Sequence, residues 1–189
     1  MSIIETVRED EATDPVAQFY EADRNELGYV APHTKAMSVN PEAYQAWQSL
    51  VRAIVAQLGK RRFELVTLAA AKGIQSDACR LAHGRKSLTL FDEEQLFRIA
   101  ADYHDADLSD ADVAMMEFAE RVGSDSASMT EADSLRLREV GFTDREIVDI
   151  TLAAAARNYF SRSIQALAVD VDVPPGLSDR LQDALLTPR

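Results

Sequence analysis

Along the chain, apolar residues recur at three- and four-residue spacing between short polar breaks, and no stretch alternates with period two between turn signals. That pattern predicts helices and argues against a substantial sheet. The breaks are well punctuated. Asp14-Pro15 and Asn40-Pro41 each pair a good N-cap residue with proline at the expected first helical position. The first predicts a helix running to Gly28, the second a longer one through Trp47 and Ile54 to Gly59. Pro32 starts a short segment through Met37. Helices are expected from Lys60 to Lys72, stopped by Gly73, then from Ser76 to Leu88 and from Asp92 to Tyr103. After a polar loop carrying His104, Ser109 caps a helix ending at Gly123, and residues 124–129 form a small polar loop. Thr130 opens a helix to Gly141. Thr143 and Glu146, three apart, make a capping box ahead of a long helix. Pro174-Pro175-Gly176 ends the main body, and Leu177 to Leu186 is expected as a short helix docked loosely or onto a partner subunit.

Composition agrees with this reading. Apolar residues make up 47% of 189 positions, with only seven Gly and six Pro, as in a globular chain with a sizeable core. The formal net charge of -12 repels phosphate backbones and anionic headgroups, so neither nucleic acid nor a membrane surface is an expected partner. A single cysteine excludes an intrachain disulfide, which fits a reducing compartment. Met1 to Glu5 shows no basic stretch leading into an apolar one, and the run Ile147 to Ala156 is broken by Asp149 and too short to span a bilayer. A cytoplasmic location is expected.

The chemistry concentrates between Phe63 and His83. In Phe63 to Ala71 (FELVTLAAA) Glu64 is the only charge, so this helix is expected to be buried, with Glu64 either near water at its start or paired inside. Beyond Gly73, Ser76, Cys79 and His83 are spaced three and four apart and share a helical face. In an antiparallel hairpin, Glu64 and His83 stand level, each about 13 Å from the corner by helix rise. The spacing thus allows a Glu64–His83–Cys79 cluster. A helix N-terminus and an imidazole both favour a thiolate, a buried carboxylate can orient the imidazole, and Asp77 opposes the thiolate by its charge. Taken singly, each residue also has a plain structural role: Cys79 as a small core residue, Ser76 as an ordinary N-cap, His83 as a core or surface histidine, Glu64 as a first-turn acid paired with Lys60, Arg61 or Arg62. His33 and His104 show no metal-ligand spacing, so no metal is assigned. No glycine-rich phosphate loop occurs, and no cofactor is assigned. Arg162, on the long penultimate helix with Asn158 and Tyr159, is read as a structural anchor for buried carboxylates or a neighbouring subunit.

Glu64, then Ser76-Asp77-Ala78-Cys79, then His83, resembles the alkylhydroperoxidase D signature, in which a glutamate precedes a Cys-x-x-Cys pair and a histidine follows four residues after the second cysteine. ELVTLAAAKG, LAHGRKSL, LSDADVAMMEFAERV, LREVGFTDREIVDITLAAAARNYFSR and IQALAVD extend the likeness along most of the chain, to the peroxidase-related branch of the alkylhydroperoxidase D / carboxymuconolactone decarboxylase superfamily. The departure is Ser76 in place of the first motif cysteine. The resemblance implies an all-α, alkylhydroperoxidase D-like orthogonal helical bundle in a single domain, 1–189. Arms at 1–13 and 174–189 are expected to take part in assembly as a homo-oligomer (dimer, trimer or hexamer).

It also implies roles: Cys79 as the peroxidatic thiol, Glu64 and His83 as the proton relay, and Ser76 as a hydrogen-bond donor to the thiolate or the peroxide. Because serine forms no disulfide, the dithiol cycle cannot run within this chain, and an external thiol reductant is expected. Three functions stay open at this point: an antioxidant oxidoreductase reducing small organic hydroperoxides through Cys79, a carboxymuconolactone decarboxylase-like acid–base enzyme acting on a small organic acid through Glu64 and His83, and a non-catalytic oligomeric relative.

Overall fold

The computed structural model describes residues 4–186, and among them there are ten α-helices and no strand. The expected all-α bundle is what forms. None of these helices is long and apolar enough to cross a membrane. The outermost parts of both expected arms, residues 1–3 and 187–189, lie outside the described residues.

Local signals set most of the boundaries. Helix α1 spans Val16–Leu27 and ends at Gly28, whose left-handed backbone (φ 86°) lets its N–H return to the Arg24 carbonyl. Its start differs from expectation: Pro15 is itself the N-cap, and no side chain caps the helix. Helix α2 is Pro32–Met37. Helix α3, Pro41–Leu58, opens as read: Asn40 accepts from the Ala43 N–H at 3.0 Å, with Pro41 at the first helical position.

Helix α4, Lys60–Ile74, is the axis of the bundle. Every residue from Phe63 to Ala71 is buried. It packs most extensively against α7 (Asp110–Asp125), then against α9 (Asp144–Ala166) and α5 (Asp77–Ser87). Gly73 and Gly123 do not stop their helices as expected; both lie inside them. The reason is a close crossing. A Cβ on Gly73 would stand 2.2 Å from the Glu120 carbonyl oxygen, and one on Gly123 would stand 2.5 Å from that of Ala70. Glycine here costs about 1 kcal/mol of helix propensity and permits backbone-to-backbone contact between α4 and α7. The stop of α4 is Gln75 instead, at φ 59°.

Helix α6 is Glu93–Asp102 under an Asp92 cap, and His104 sits in a following 3-10 turn. Residues 124–129, expected as a loop, hold the end of α7 and a second 3-10 turn, Ser126–Ser128. Helix α8 is Glu131–Glu139, and α9 begins with the expected Thr143–Glu146 capping box. Helix α10, Asp179–Leu185, departs from the loose docking read from the sequence. Leu181 and Leu185 are fully buried, Arg80 Nη2 donates to the carbonyls of Ala100 (2.8 Å) and Ala184 (3.0 Å), and Gly84 leaves room for the Leu185 side chain. Two leucines on one face of a seven-residue helix supply enough apolar area to fasten it to its own chain.

Beside the main core lies a smaller cluster. Val16, Phe19 and Tyr20 of α1, Tyr44 of α3, Ala71 of α4 and Phe160 of α9 belong to it, together with Cys79.

Candidate active site

The chain turns at Gln75, and α4 and α5 pack against each other as in the hairpin supposed from the sequence. Glu64 and His83 meet, with His83 Nδ1 2.6 Å from Glu64 Oε2, both buried. The level placement argued from helix rise is therefore present. Burial by itself would raise the Glu64 carboxyl, but the His83 hydrogen bond and charge, helped by Lys86 and Arg157, outweigh it and hold the carboxyl below its usual range. Burial, reinforced by the Arg157 charge, pushes His83 down to about 4 against the pull of Glu64. At neutral pH the pair is thus a carboxylate and a neutral imidazole. With Nδ1–H donated to Glu64, Nε2 carries the free lone pair, the state needed to accept a proton.

Cys79 lies in the first turn of α5 with 2% of its surface exposed. The hydrogen bonds at its sulfur come from α9: Ser161 Oγ donates at 3.0 Å and Arg157 Nη1 at 3.4 Å. Neither residue was singled out from the sequence. A signal existed, because Arg157 and Ser161 stand four apart on a helix whose other buried positions include Ile150, Ala153, Phe160 and Ile164. Arg157 is 3% exposed and has no carboxylate within ion-pair distance among the described residues; its Nε has no acceptor. The faces of Phe160 (5.5 Å) and Trp47 (5.9 Å) are its other neighbours. The one side-chain acceptor its Nη1 finds among the described residues is the Cys79 sulfur.

Ser76 does not take the place expected for it. Its hydroxyl is buried, caps no N–H and bonds neither the sulfur nor any other atom. Spacing of three aligns side chains only where the backbone is helical, and Ser76 has the extended backbone of an N-cap (φ -103°, ψ 91°). Ser161 occupies the role instead. Arg162 donates to Asn158 Oδ1 and to the Gly123 carbonyl, so it anchors α9 to α7 and no buried carboxylate. His104 is remote, between Asp102 and Glu117 at the surface.

A cavity of about 820 Å³ opens over this cluster. Cys79, His83, Glu64 and Arg157 line it together with the rings of Tyr44, Trp47, Phe63 and Phe160. Trp47 and Phe160 stack at 4.4 Å. His33, on α2, reaches the same cavity, and burial lowers its pKa. A nucleophile, a proton acceptor and a cation thus share one apolar-walled space, the parts needed for attack by sulfur with proton transfer.

No family model and no curated protein matches the chain. Solved structures do. The chain is similar to the alkylhydroperoxidase AhpD core of an uncharacterized peroxidase-related protein from Ralstonia eutropha JMP134, at 23% identity and a TM-score of 0.77, covering 100% of this chain and 98% of that one. It is similar to an uncharacterized peroxidase-related protein from Silicibacter sp. TM1040, at 26% identity and a TM-score of 0.79, covering 90% and 92%. It also superimposes on the debrominase Bmp8 in complex with 2,3,4-tribromopyrrole, at 13% identity and a TM-score of 0.76, covering 98% of each chain. The fold is alkylhydroperoxidase D-like, and two of its structural neighbours are described as peroxidase-related proteins.

Proposed function

We propose that this alkylhydroperoxidase D-like chain is a one-cysteine peroxidase that reduces organic hydroperoxides. The observation that carries this reading is the pairing of Cys79 with a buried guanidinium in the wall of an apolar cavity shared with the Glu64–His83 pair. His83 Nε2 takes the thiol proton. The thiolate attacks the terminal oxygen of the hydroperoxide, the O–O bond breaks, and an S–O bond forms as the alkoxide leaves with the electron pair. His83 returns a proton to the alkoxide, which departs as the alcohol, and Cys79 is left as a sulfenic acid. With no second cysteine in the chain, an external thiol condenses with the sulfenic acid, releasing water. A second external thiol then frees Cys79 and leaves as a disulfide. Arg157 and Ser161 hold the sulfur anion through the cycle.

Intact-mass measurement after addition of cumene hydroperoxide tests the proposal. One oxygen gained in the wild type and none in Cys79→Ser supports it. A Cys79 that gains no oxygen while a bulk thiol in the same tube does removes it.

A second reading rests on a separate observation: the Glu64–His83 bond is complete without Cys79. The pair then does acid–base work on a small organic acid. Turnover of such an acid that survives Cys79→Ser and is lost in His83→Ala favours this reading over the first.

A further inference from the structure

The chain carries a net charge of -12, yet besides the buried Arg157 three exposed cations on the cavity lining have no carboxylate partner among the described residues. Arg52 on α3 donates to the Ser49 hydroxyl at 2.7 Å, and Lys60 at the start of α4 donates to the Thr89 hydroxyl at 3.4 Å. The Lys86 ammonium, on the last turn of α5, has no hydrogen-bond or ion-pair partner among the described residues. All three are exposed, whereas Cys79, His83 and Glu64 are buried, so the cations form the rim and the reactive groups the floor. The acids of the same lining are already engaged. Asp23 accepts the Ala31 N–H at 2.9 Å, Glu26 accepts from Arg85 at 3.4 Å, and Glu64 is bonded to His83.

In so acidic a chain, randomly placed cations find carboxylates easily; here three stand open around one mouth. A cleft with apolar walls focuses their field inward.

We infer that the substrate is an anionic amphiphile: a hydroperoxide with an aryl or alkyl body and a carboxylate, the body against Trp47 and Phe160, the carboxylate at Arg52, Lys60 and Lys86. This rests on the peroxidase reading for the reactive end only. Recognition of the carboxylate is a property of the rim.

Trp47 is the sole tryptophan and lines the cavity, so its fluorescence reports occupancy without turnover. The probes are 4-isopropylbenzoate and its methyl ester, neither of which can oxidise sulfur. Three exposed charge pairs together give the acid a preference of about tenfold over the ester, which is about 1.4 kcal/mol in all. In Arg52→Gln/Lys86→Gln that preference falls to threefold or less, and added salt erodes it in the wild type. An ester that binds as tightly as the acid, or a preference untouched by the double substitution, overturns the inference. Oxygen transfer from neutral cumene hydroperoxide to Cys79, followed by mass, is scored separately. If oxidation succeeds without acid preference, the substrate class alone falls. If the preference holds without oxidation, rim recognition stands and the peroxidase reading falls.

Discussion

Replacing Arg157 by methionine separates reactivity from stability, because the guanidinium acts on the two in opposite directions. Methionine is close in length and keeps the apolar stem. What disappears is a charge that is 3% exposed, hydrogen-bonded to Cys79 at 3.4 Å and lacking an ion-pair carboxylate among the described residues. A hydrogen bond to a charged group contributes about 1.5–3 kcal/mol, so alkylation of Cys79 is expected to slow roughly tenfold to a hundredfold overall without Arg157. For stability, the buried cation carries a desolvation cost of several kcal/mol, which the substitution relieves. Against that stand two ring contacts, at 5.5 and 5.9 Å, near the outer limit for cation–π attraction and worth about 0.5–1 kcal/mol each. Relief outweighs loss, and Arg157→Met is expected to unfold at equal or higher urea concentration than the wild type. The assays are iodoacetamide alkylation of Cys79 at pH 7 and urea denaturation followed by circular dichroism. Histidine NMR supplies a third readout: Arg157 helps hold His83 down, so the His83 titration rises from about 4 toward the ordinary histidine range in the variant. Alkylation at the wild-type rate by a folded Arg157→Met protein would refute the assignment of the guanidinium to the sulfur.

Ser161→Ala, which removes the 3.0 Å bond to the sulfur, slows Cys79 alkylation about threefold to tenfold, while Ser76→Ala leaves the rate unchanged and stabilises the fold by up to about 1 kcal/mol, since the Ser76 hydroxyl is buried and unbonded; the two rates compared side by side decide whether the structure has the right serine. His83 titrates lower in the folded chain (about 4) than in the unfolded one (about 6.5), so the unfolded state binds the extra proton and stability is lost as pH falls across that window. The loss reaches about 3 kcal/mol between pH 7 and 4, and urea midpoints that fall as steeply in His83→Gln as in the wild type would assign the loss to other groups. Gly73→Ala gains about 1 kcal/mol of helix propensity but forces a methyl to 2.2 Å from the Glu120 carbonyl oxygen, so a net loss of about 2 kcal/mol or more is expected in denaturant titration, and a stabilised variant contradicts the close α4–α7 crossing.

The sequence by itself determined whatever depends on neighbours a few residues apart. The Asn40 cap, the Thr143–Glu146 box and the left-handed stop at Gly28 are local contests for backbone hydrogen bonds, and each was readable from three or four letters. The Glu64–His83 meeting was readable too, because one turn joins the two helices and rise per residue sets their register. Tertiary structure decided the rest. Arg157 and Ser161 lie 78 and 82 positions from Cys79, and only the packing of α9 on α4 brings them to the sulfur. Gly73 and Gly123 read as stops because a glycine's local preference is to end a helix; a backbone contact supplied by another helix overrides it. Ser76 was misassigned for the converse reason: face arithmetic assumes helical dihedrals, and a cap residue does not have them. Local rules are short-ranged and so legible in a string of letters, whereas the partners of a buried charge are chosen by which surfaces exclude water together.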